Sequence, residues 1–153
     1  MPDYIQAIRA QVGHKPIILT FAGGILVDSK GRVLLQKRSD FNRWVLPGGV
    51  LEFGESASAA CIREFREETG LTVAVRGLLG ISTDQIQRYP NEDVAQAVIL
   101  TFMVERVTGK LATTSSETLA LKYFNQAQLP PLLNAQHEQG LKDYFAGNIP
   151  WYD

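Results

Sequence analysis

The sequence predicts a single α/β domain in which a β-sheet lies between helices. β-rich runs alternate with segments of helical periodicity along the 153 residues, a length typical of one domain, and no repeat or linker divides them. The run Val94–Val107 is largely apolar at both alternating sets of positions, which indicates a strand that is buried on both faces. Apolar residues make up 45% of the chain, enough for such a core. We therefore expect residues 1–153 to form one domain.

The first predicted element is a short amphipathic helix at residues 3–12. Apolar residues recur at helical spacing up to Val12, and Gly13 marks the end of the helix. The apolar stripe could pack on its own domain or on a partner subunit, so a homodimer is possible. We expect the first arrangement, with residues 1–13 as an extra helix on the domain.

Two strands are predicted next, joined as a hairpin. The first is the β-rich run Ile17–Val27, in which Gly23 and Gly24 indicate a bulge or the close approach of another backbone. A turn at residues 28–31 predicts that Arg32–Arg38 returns as the second strand.

A short strand at Trp44–Leu46 and a turn at Pro47–Gly49 lead towards the best-defined helix of the chain. Ser56 can cap the N-terminus of this helix by accepting a hydrogen bond from a backbone N–H. Gly70 can close the C-terminus in the left-handed conformation. Roughly four turns of helix are expected between these two residues.

One face of this helix carries Glu64, Glu67 and Glu68, because successive residues are about 100° apart. The opposite stripe, with Cys61 and Phe65, is expected to face the core. A solvated surface is the common fate of such glutamates. However, three neighbouring like charges near the negative end of the helix dipole cost stability unless a cation joins them. Their oxygens suit Mg²⁺ or Mn²⁺, which keep several waters and take up phosphate oxygens of a substrate.

The segment that contains this helix resembles the Nudix box, G-x5-E-x7-R-E-U-x-E-E-x-G-U, in which U is a bulky apolar residue. Every specified position is matched, and only Phe65 is a less common choice: Gly49, Glu55, Arg63, Glu64, Phe65, Glu67, Glu68, Gly70 and Leu71. The resemblance implies the Nudix fold, an α/β/α sandwich with a mixed β-sheet. It also implies hydrolysis of the pyrophosphate in a nucleoside diphosphate linked to another moiety, with Mg²⁺ or Mn²⁺ as the cofactor.

The resemblance assigns the metal site to the helix glutamates and to the turn before them. Glu64 and Glu68 are the expected direct ligands, and Glu67 is either a ligand or a support for one. The backbone carbonyl of Gly48 or Gly49 is expected to supply a further oxygen, since glycine allows a close approach to the backbone.

Catalytic and supporting roles fall to the remaining acidic and basic positions. Arg63 is expected to orient one of the glutamates by a charge-assisted hydrogen bond, or to contact phosphate. Glu55 is expected to support the metal site. The proton of the attacking water goes to Glu64 or to Glu117. Many family members carry a glutamate just before a strand such as the one predicted at Leu119–Phe124, although the acidic residue that often follows three positions later is missing here.

Substrate contacts are expected on the strands and loops around the box. Arg38 ends a strand that lies under the nucleotide in the family, so it is either a phosphate or base contact or a solvated arginine. After a predicted strand at residues 71–83, the polar loop Asp84–Asp93 is the candidate for substrate selection. Within this loop, Tyr89 could stack on a base and Arg88 could meet a phosphate.

The chain closes with a predicted helix at Ala135–Phe145. Leu141, Tyr144 and Phe145 are expected to face the core from this helix. His137, on the same helix, is expected at the surface or as a cap rather than as a catalyst.

Composition restricts the environment and the partners. Fifteen basic and sixteen acidic residues leave a net charge of −1, which excludes the basic surface typical of proteins that bind duplex nucleic acid. The single cysteine, Cys61, excludes an internal disulfide and suits a reducing compartment. Since no signal peptide or membrane-spanning stretch is found either, we expect a cytoplasmic protein without a membrane partner.

The substrate is less closely defined than the reaction. The loop around Glu117 favours ADP-ribose or a similar nucleotide sugar, and dinucleoside polyphosphates and nucleoside triphosphates are the alternatives. Long RNA is disfavoured by the near-neutral charge. A module that senses a nucleotide without turnover is the main competing function, but the intact box glutamates favour an enzyme.

Overall fold

The computed structural model describes residues 3–112 and 115–153. Within these two ranges, seven strands and three α-helices follow one another, with a 3-10 turn before the last helix. In chain order they are α1 (Tyr4–Val12), β1 (Ile17–Ile25), β2 (Val33–Arg38), β3 (Arg43–Val45), β4 (Gly48–Val50), α2 (Ala57–Thr69), β5 (Leu71–Arg88), β6 (Val94–Gly109), β7 (Thr118–Phe124), the 3-10 turn Gln126–Gln128, and α3 (Ala135–Ala146). None of the helices in the described ranges has the length and apolar character that a membrane crossing needs.

The strands form two sheets that lie between α2 and α3. The larger sheet has the order β4-β1-β6-β5 and is mixed, because β1 runs parallel to β6 while the other two pairs are antiparallel. The smaller sheet, β3-β2-β7, is antiparallel. The expected α/β/α sandwich is therefore confirmed, and its strands are divided between two sheets.

Alternation along the strands gives the domain an apolar core on each face. Leu34 of β2 packs in the cluster that contains Cys61 and Phe65 of α2. Its neighbours on the same strand, such as Leu35, pack in a second cluster with Leu141 of α3. Successive side chains of a strand point to opposite faces, so each helix covers a different set of residues on the same strand.

The expected hairpin of the first two strands forms only at its turn. Val27 and Val33 make an isolated antiparallel bridge, and the N–H of Leu34 donates to the carbonyl of Leu26 at 2.9 Å. Beyond this point β1 joins the larger sheet and β2 the smaller one, where it pairs with β7. The prediction of a full hairpin was wrong because the two strands find better partners far away in the sequence.

The predicted loop at Asp84–Asp93 is also shorter than expected. β5 continues to Arg88 and pairs with the start of β6, so only the turn at residues 89–93 remains. Exposed and half-buried side chains alternate from Asp84 to Arg88, as on an edge strand with one solvated face. Because these residues are polar, the sequence resembles a loop.

The N-terminal helix α1 lies against this domain's own larger sheet. Tyr4 and Ile5 pack with Leu19 of β1 and Ala95 of β6. The guanidinium of Arg9 donates to the carbonyl of Val94 at 2.8 Å. The apolar stripe of α1 is thus covered within the chain.

Candidate active site

The helix α2 has the predicted caps and the predicted inward face. The side chain of Ser56 accepts a hydrogen bond from the N–H of Ala59 at 3.1 Å, and Gly70 adopts the left-handed conformation with φ 77°. Cys61 and Phe65 are fully buried. This packing turns the glutamates of the opposite face towards β4.

The residues predicted as a turn, Gly48 and Gly49, instead form the short strand β4 together with Val50. This strand pairs with β1, and its backbone runs beside the α2 glutamates. The N–H of Gly48 donates to Oε2 of Glu68 at 3.2 Å. A Cβ on Gly49 would overlap the carboxyl group of Glu64. The absence of a side chain there is therefore what allows Glu64 to lie against the strand.

Arg63 joins the loop of the box to its helix. Its Nε and Nη2 donate to the two carboxylate oxygens of Glu55 at 2.8 and 2.9 Å, and its Nη1 donates to Oε1 of Glu64 at 2.7 Å. Nη2 also donates to the carbonyl of Val50 at 3.1 Å, and Glu67 lies 3.4 Å from Nη1. The hydrogen bond from Arg63 lowers the pKa of Glu55. Arg63 thus holds acidic groups from two parts of the box in fixed positions.

Glu64 and Glu68 form a pair of interacting carboxyl groups. Glu68 is buried, with 5% of its surface exposed, and 13% of the Glu64 side chain is exposed. Burial raises the pKa of both groups, and in Glu68 the charge of Glu64 raises it further. Glu67, with 60% of its side chain exposed, stands outside this pair. Two adjacent buried carboxylates repel each other until a proton or a metal cation lies between them.

The donor set fits a hard divalent cation. Within residues 3–112 and 115–153, no three His, Cys, Asp or Glu side chains are grouped as a ready-made metal site. Mg²⁺, however, is usually bound through one or two carboxylates, with waters and substrate phosphates completing its shell. The Glu64–Glu68 pair supplies that number of carboxylates, and the backbone of Gly48 lies beside it.

Arg38 lies close enough to Glu68 of this pair, and to Glu117, for both charges to act on it. Arg38 binds Asp40 through two hydrogen bonds, Nε to Oδ1 at 3.0 Å and Nη2 to Oδ2 at 2.8 Å. Burial acts to lower the pKa of Arg38, but the bonds and charge of Asp40, with the charges of Glu68 and Glu117, raise it overall. Glu117 itself is exposed, and its backbone carbonyl accepts from the N–H of Ser39 at 3.0 Å. Arg38 therefore lies where the charges of both Glu68 and Glu117 act on it, whereas Arg63 is the cation bound to Glu64.

A cavity extends from β4 to α3, and both Gly48 and Gly49 are part of its wall. We refer to it as the main cavity. Its remaining wall is mostly apolar, with a few polar side chains and backbone groups: Phe21, Ala22, Gly23, Arg38, Phe41, Val45, Leu46, Ser82, Gln87, Tyr89, Ala97, Ile99, Thr101, Leu133, Asn134, Gln136, His137, Gly140 and Trp151. An apolar cleft with a small number of polar groups is typical of sites for small molecules.

The two predicted substrate contacts of the 84–93 region have different positions. Tyr89 lines the main cavity and packs at 5.6 Å between ring centroids from Phe41, a residue that the sequence did not indicate. Arg88 is exposed and is not part of the cavity wall. Arg88 is the last residue of β5 and is exposed at the sheet edge, whereas Tyr89 begins the turn that follows the strand.

The far wall of the main cavity was not predicted. His137 belongs to this wall rather than to the surface, and burial, together with the charge of Arg38, lowers its pKa to about 4. Gln136 and Trp151 complete the wall from α3 and from the segment after it. Trp151 is held there by backbone hydrogen bonds to Leu79 and Ile81 of β5. No local pattern marks these residues, because long-range contacts place them.

Comparison with known proteins agrees with the fold and the box. The profile of the NUDIX domain matches residues 20–145. A Bacillus subtilis (strain 168) protein provisionally named 8-oxo-dGTP diphosphatase is 30% identical over 123 residues, which cover 80% of this chain and 77% of that protein. An ADP-ribose pyrophosphatase from Methanocaldococcus jannaschii is 32% identical over 123 residues, covering 78% and 69% of the two chains.

Solved structures support the same conclusion about the fold. The crystal structure of a UDP-X diphosphatase superposes with a TM-score of 0.72 at 22% identity, over 97% of this chain and 72% of that chain. The fold, the carboxylate site and these relatives define an enzyme that acts on pyrophosphate bonds. The chain belongs to the Nudix family of hydrolases, whose members act on small nucleotide substrates and generally use divalent metals.

Proposed function

We propose that this chain hydrolyses the pyrophosphate of a nucleoside diphosphate linked to another moiety, with Mg²⁺ or Mn²⁺ as its cofactor. The observation that carries the proposal is the Glu64–Glu68 pair, which lies against Gly48 and Gly49, two residues that line the main cavity. A phosphate-bound cation at this pair would have the rest of the substrate beside it, in the cavity. The carboxylates and the substrate pocket are then parts of one site.

The cation would be held by Glu64 and Glu68, with the carbonyl of Gly48 as a further oxygen donor. When bound, it supplies charge for the phosphate oxygens and lowers the pKa of a water molecule. Glu67, which is largely exposed, would support this site from its outer side. Arg63 would keep Glu64 oriented through their 2.7 Å hydrogen bond, and Glu55 would anchor Arg63 in turn.

Two carboxylates remain candidates for taking up the proton of the attacking water. Glu64 is close to the cation site but is bound to Arg63. Glu117 is exposed and makes no such bond to the residues that the structure describes, and we infer that it can approach a substrate that enters from solvent. Arg38 would donate a hydrogen bond to a phosphate, and its Nη2 would give up the bond to Asp40 in order to do so.

The main cavity favours a substrate with an aromatic base. The Phe41–Tyr89 pair offers ring faces for stacking, while the remaining wall is mostly apolar. ADP-ribose or a similar nucleotide sugar is our first choice, as in the name of the relative from Methanocaldococcus jannaschii. A nucleoside triphosphate is the second candidate, because the relative from Bacillus subtilis is named for 8-oxo-dGTP and the far wall carries several amide groups.

The proposal is tested by measuring phosphate release from ADP-ribose, UDP-glucose, a dinucleoside polyphosphate and nucleoside triphosphates. The reactions contain Mg²⁺ or Mn²⁺ and a coupling phosphatase, with EDTA as the metal-free control. We expect cleavage that requires the metal and is fastest for ADP-ribose or the nucleotide sugar. Glu64→Gln should lose this activity, whereas Glu105→Gln, a change on an exposed carboxylate paired with Arg76, should not. Tight nucleotide binding without cleavage of any substrate would instead support a sensor.

A further inference from the structure

The far wall of the main cavity contains a buried hydrogen-bond acceptor without a partner. Gln136, the second residue of α3, is only 9% exposed and lines the cavity. Its Nε2 donates to the carbonyls of Ser82 and Ala97, each at 3.1 Å. These two bonds fix the orientation of the amide, because only the nitrogen can donate. The oxygen Oε1 is left without a partner among the residues that the structure describes.

The other amides of the cavity wall differ from Gln136. Nδ2 of Asn134 donates to Oε1 of Gln87 at 3.1 Å, and Nε2 of Gln87 donates to the carbonyl of Arg88 at 3.1 Å. Oδ1 of Asn134 accepts the N–H of His137 as the cap of α3. A buried acceptor that stays unpaired costs free energy, so most are satisfied. Gln36 also has an unpaired Oε1, but it lies in the core, where no ligand would enter.

The surroundings of Gln136 indicate which kind of ligand group would pair with it. Trp151 also lines the wall, and its indole lies next to Gly140 on the following turn of α3, where a Cβ would be in ordinary van der Waals contact, 3.4 Å from Cζ2. Ile99 and Leu133 add apolar surface. A planar ring suits such a wall, and a ring that carries an N–H would satisfy the acceptor. A nucleobase has both properties.

We propose that Gln136 is a specificity-determining residue whose Oε1 accepts a hydrogen bond from an exocyclic amino group of a purine base in the substrate. This inference rests on the proposed function, because it assumes that a nucleotide occupies the main cavity. It predicts that the enzyme prefers a base with that N–H over an analogue that lacks it. A hydrogen bond between neutral groups corresponds to a preference of about tenfold in affinity.

The test compares pairs of nucleotides that differ by a single amino group. GMP and IMP differ at the 2-position of the purine, and AMP and purine riboside monophosphate differ at the 6-position. Dissociation constants are measured in Mg²⁺ buffer from the tryptophan fluorescence, since Trp151 lines the cavity. The wild-type protein should bind the amino member of at least one pair about tenfold more tightly. Equal binding within both pairs, or no binding of either pair, would overturn the proposal.

Variants then assign the preference to Gln136. Gln136→Met removes the acceptor and should abolish the preference while leaving the affinity for the analogue without the amino group unchanged. Gln139→Met, an exposed position on the same helix, is the matched control and should keep the wild-type preference. If thermal unfolding shows that Gln136→Met does not fold, Gln136→Asn replaces it, because the shorter amide cannot keep both backbone bonds and still present its oxygen. A preference that survives in a folded variant would refute the role of Gln136.

The test of Gln136 and the test of hydrolysis can fail independently of each other. Metal-dependent cleavage without discrimination between the paired nucleotides would reject only the role of Gln136. Discrimination by Gln136 without cleavage of any substrate would keep this residue as a base contact and reject the hydrolase proposal.

Discussion

Gly49→Ala should inactivate the enzyme by displacing Glu64. The added Cβ would overlap the carboxyl group of Glu64, whose Oε2 would be only 2.6 Å away. Ordinary van der Waals contacts begin at 3.4 Å, so the carboxylate has to withdraw from β4. The strand β4 cannot shift away instead, because it is paired with β1, where Gly48 lies opposite Gly23 and Gly49 opposite Ala22.

The size of the effect follows from this displacement. A shift approaching 1 Å in a group that positions the reaction costs about 10²-fold in rate. Withdrawal also strains the 2.7 Å hydrogen bond between Arg63 and Glu64, which orients the carboxylate. We therefore expect kcat, measured at saturating Mg²⁺ and substrate by phosphate release, to fall about 10²-fold.

The matched control is Gly77→Ala on β5. A Cβ at Gly77 meets nothing within 4 Å, and the residue does not have a positive φ. This variant should keep the wild-type kcat, and circular dichroism should show that both variants are folded. If Gly49→Ala and Gly77→Ala have the same kcat, the contact between Gly49 and Glu64 is not required for catalysis.

The remaining predictions concern the carboxylates and the far wall. Glu68→Gln should reduce kcat by about 10²-fold or more, since the cation it would hold is worth several kcal/mol, and near-normal rates at saturating Mg²⁺ would exclude an essential ligand. Glu117→Gln should lower the rate by about 10²-fold or more if Glu117 is the general base, and an unchanged pH–rate profile would favour Glu64. Gly80→Ala should raise KM more than it lowers kcat, because its Cβ would overlap the indole of Trp151; steady-state kinetics would show this. His137 has a folded pKa of about 4 against 6.5 for an ordinary histidine, so the neutral form stabilises the fold above about pH 6.5, and up to about 3 kcal/mol is lost as the pH falls towards 4. Denaturant unfolding of His137→Asn should show a smaller loss over this range than the wild type, and equal losses would contradict the assignment.

The box helix could be predicted from the sequence because its determinants are local. Ser56 and Gly70 cap the helix on which they lie, and the spacing of its residues sets which side chains share a face. Local patterns did not predict correctly which strand pairs with β2. β2 pairs with β7, which lies about 85 residues further along the chain, and no pattern within residues 17–38 contains that information.

Polar strands were the second source of error. Four of the five residues of segment 84–88 are polar, with Ile86 the exception, as suits the edge of the larger sheet, where one face is solvated. Composition alone therefore indicated a loop, although the alternation of exposed and half-buried residues is that of a strand. The mistake affected the site, because it made Arg88 and Tyr89 equal candidates, although only Tyr89, in the turn after β5, lines the main cavity.

The two halves of the site also differ in how far apart their residues lie in the sequence. Arg63 reaches Glu55 and Glu64 within one loop and one helix, so the carboxylate half of the site is encoded in a single segment. The far wall depends on the hydrogen bonds of Gln136 to β5 and β6 and on those of Trp151 to β5. These contacts join residues that are far apart in the sequence. Relatives that are 30–32% identical are named for different substrates, 8-oxo-dGTP and ADP-ribose. A local catalytic segment combined with a pocket wall built from distant segments allows one reaction to be used on several substrates, because the wall can change without disturbing the carboxylates.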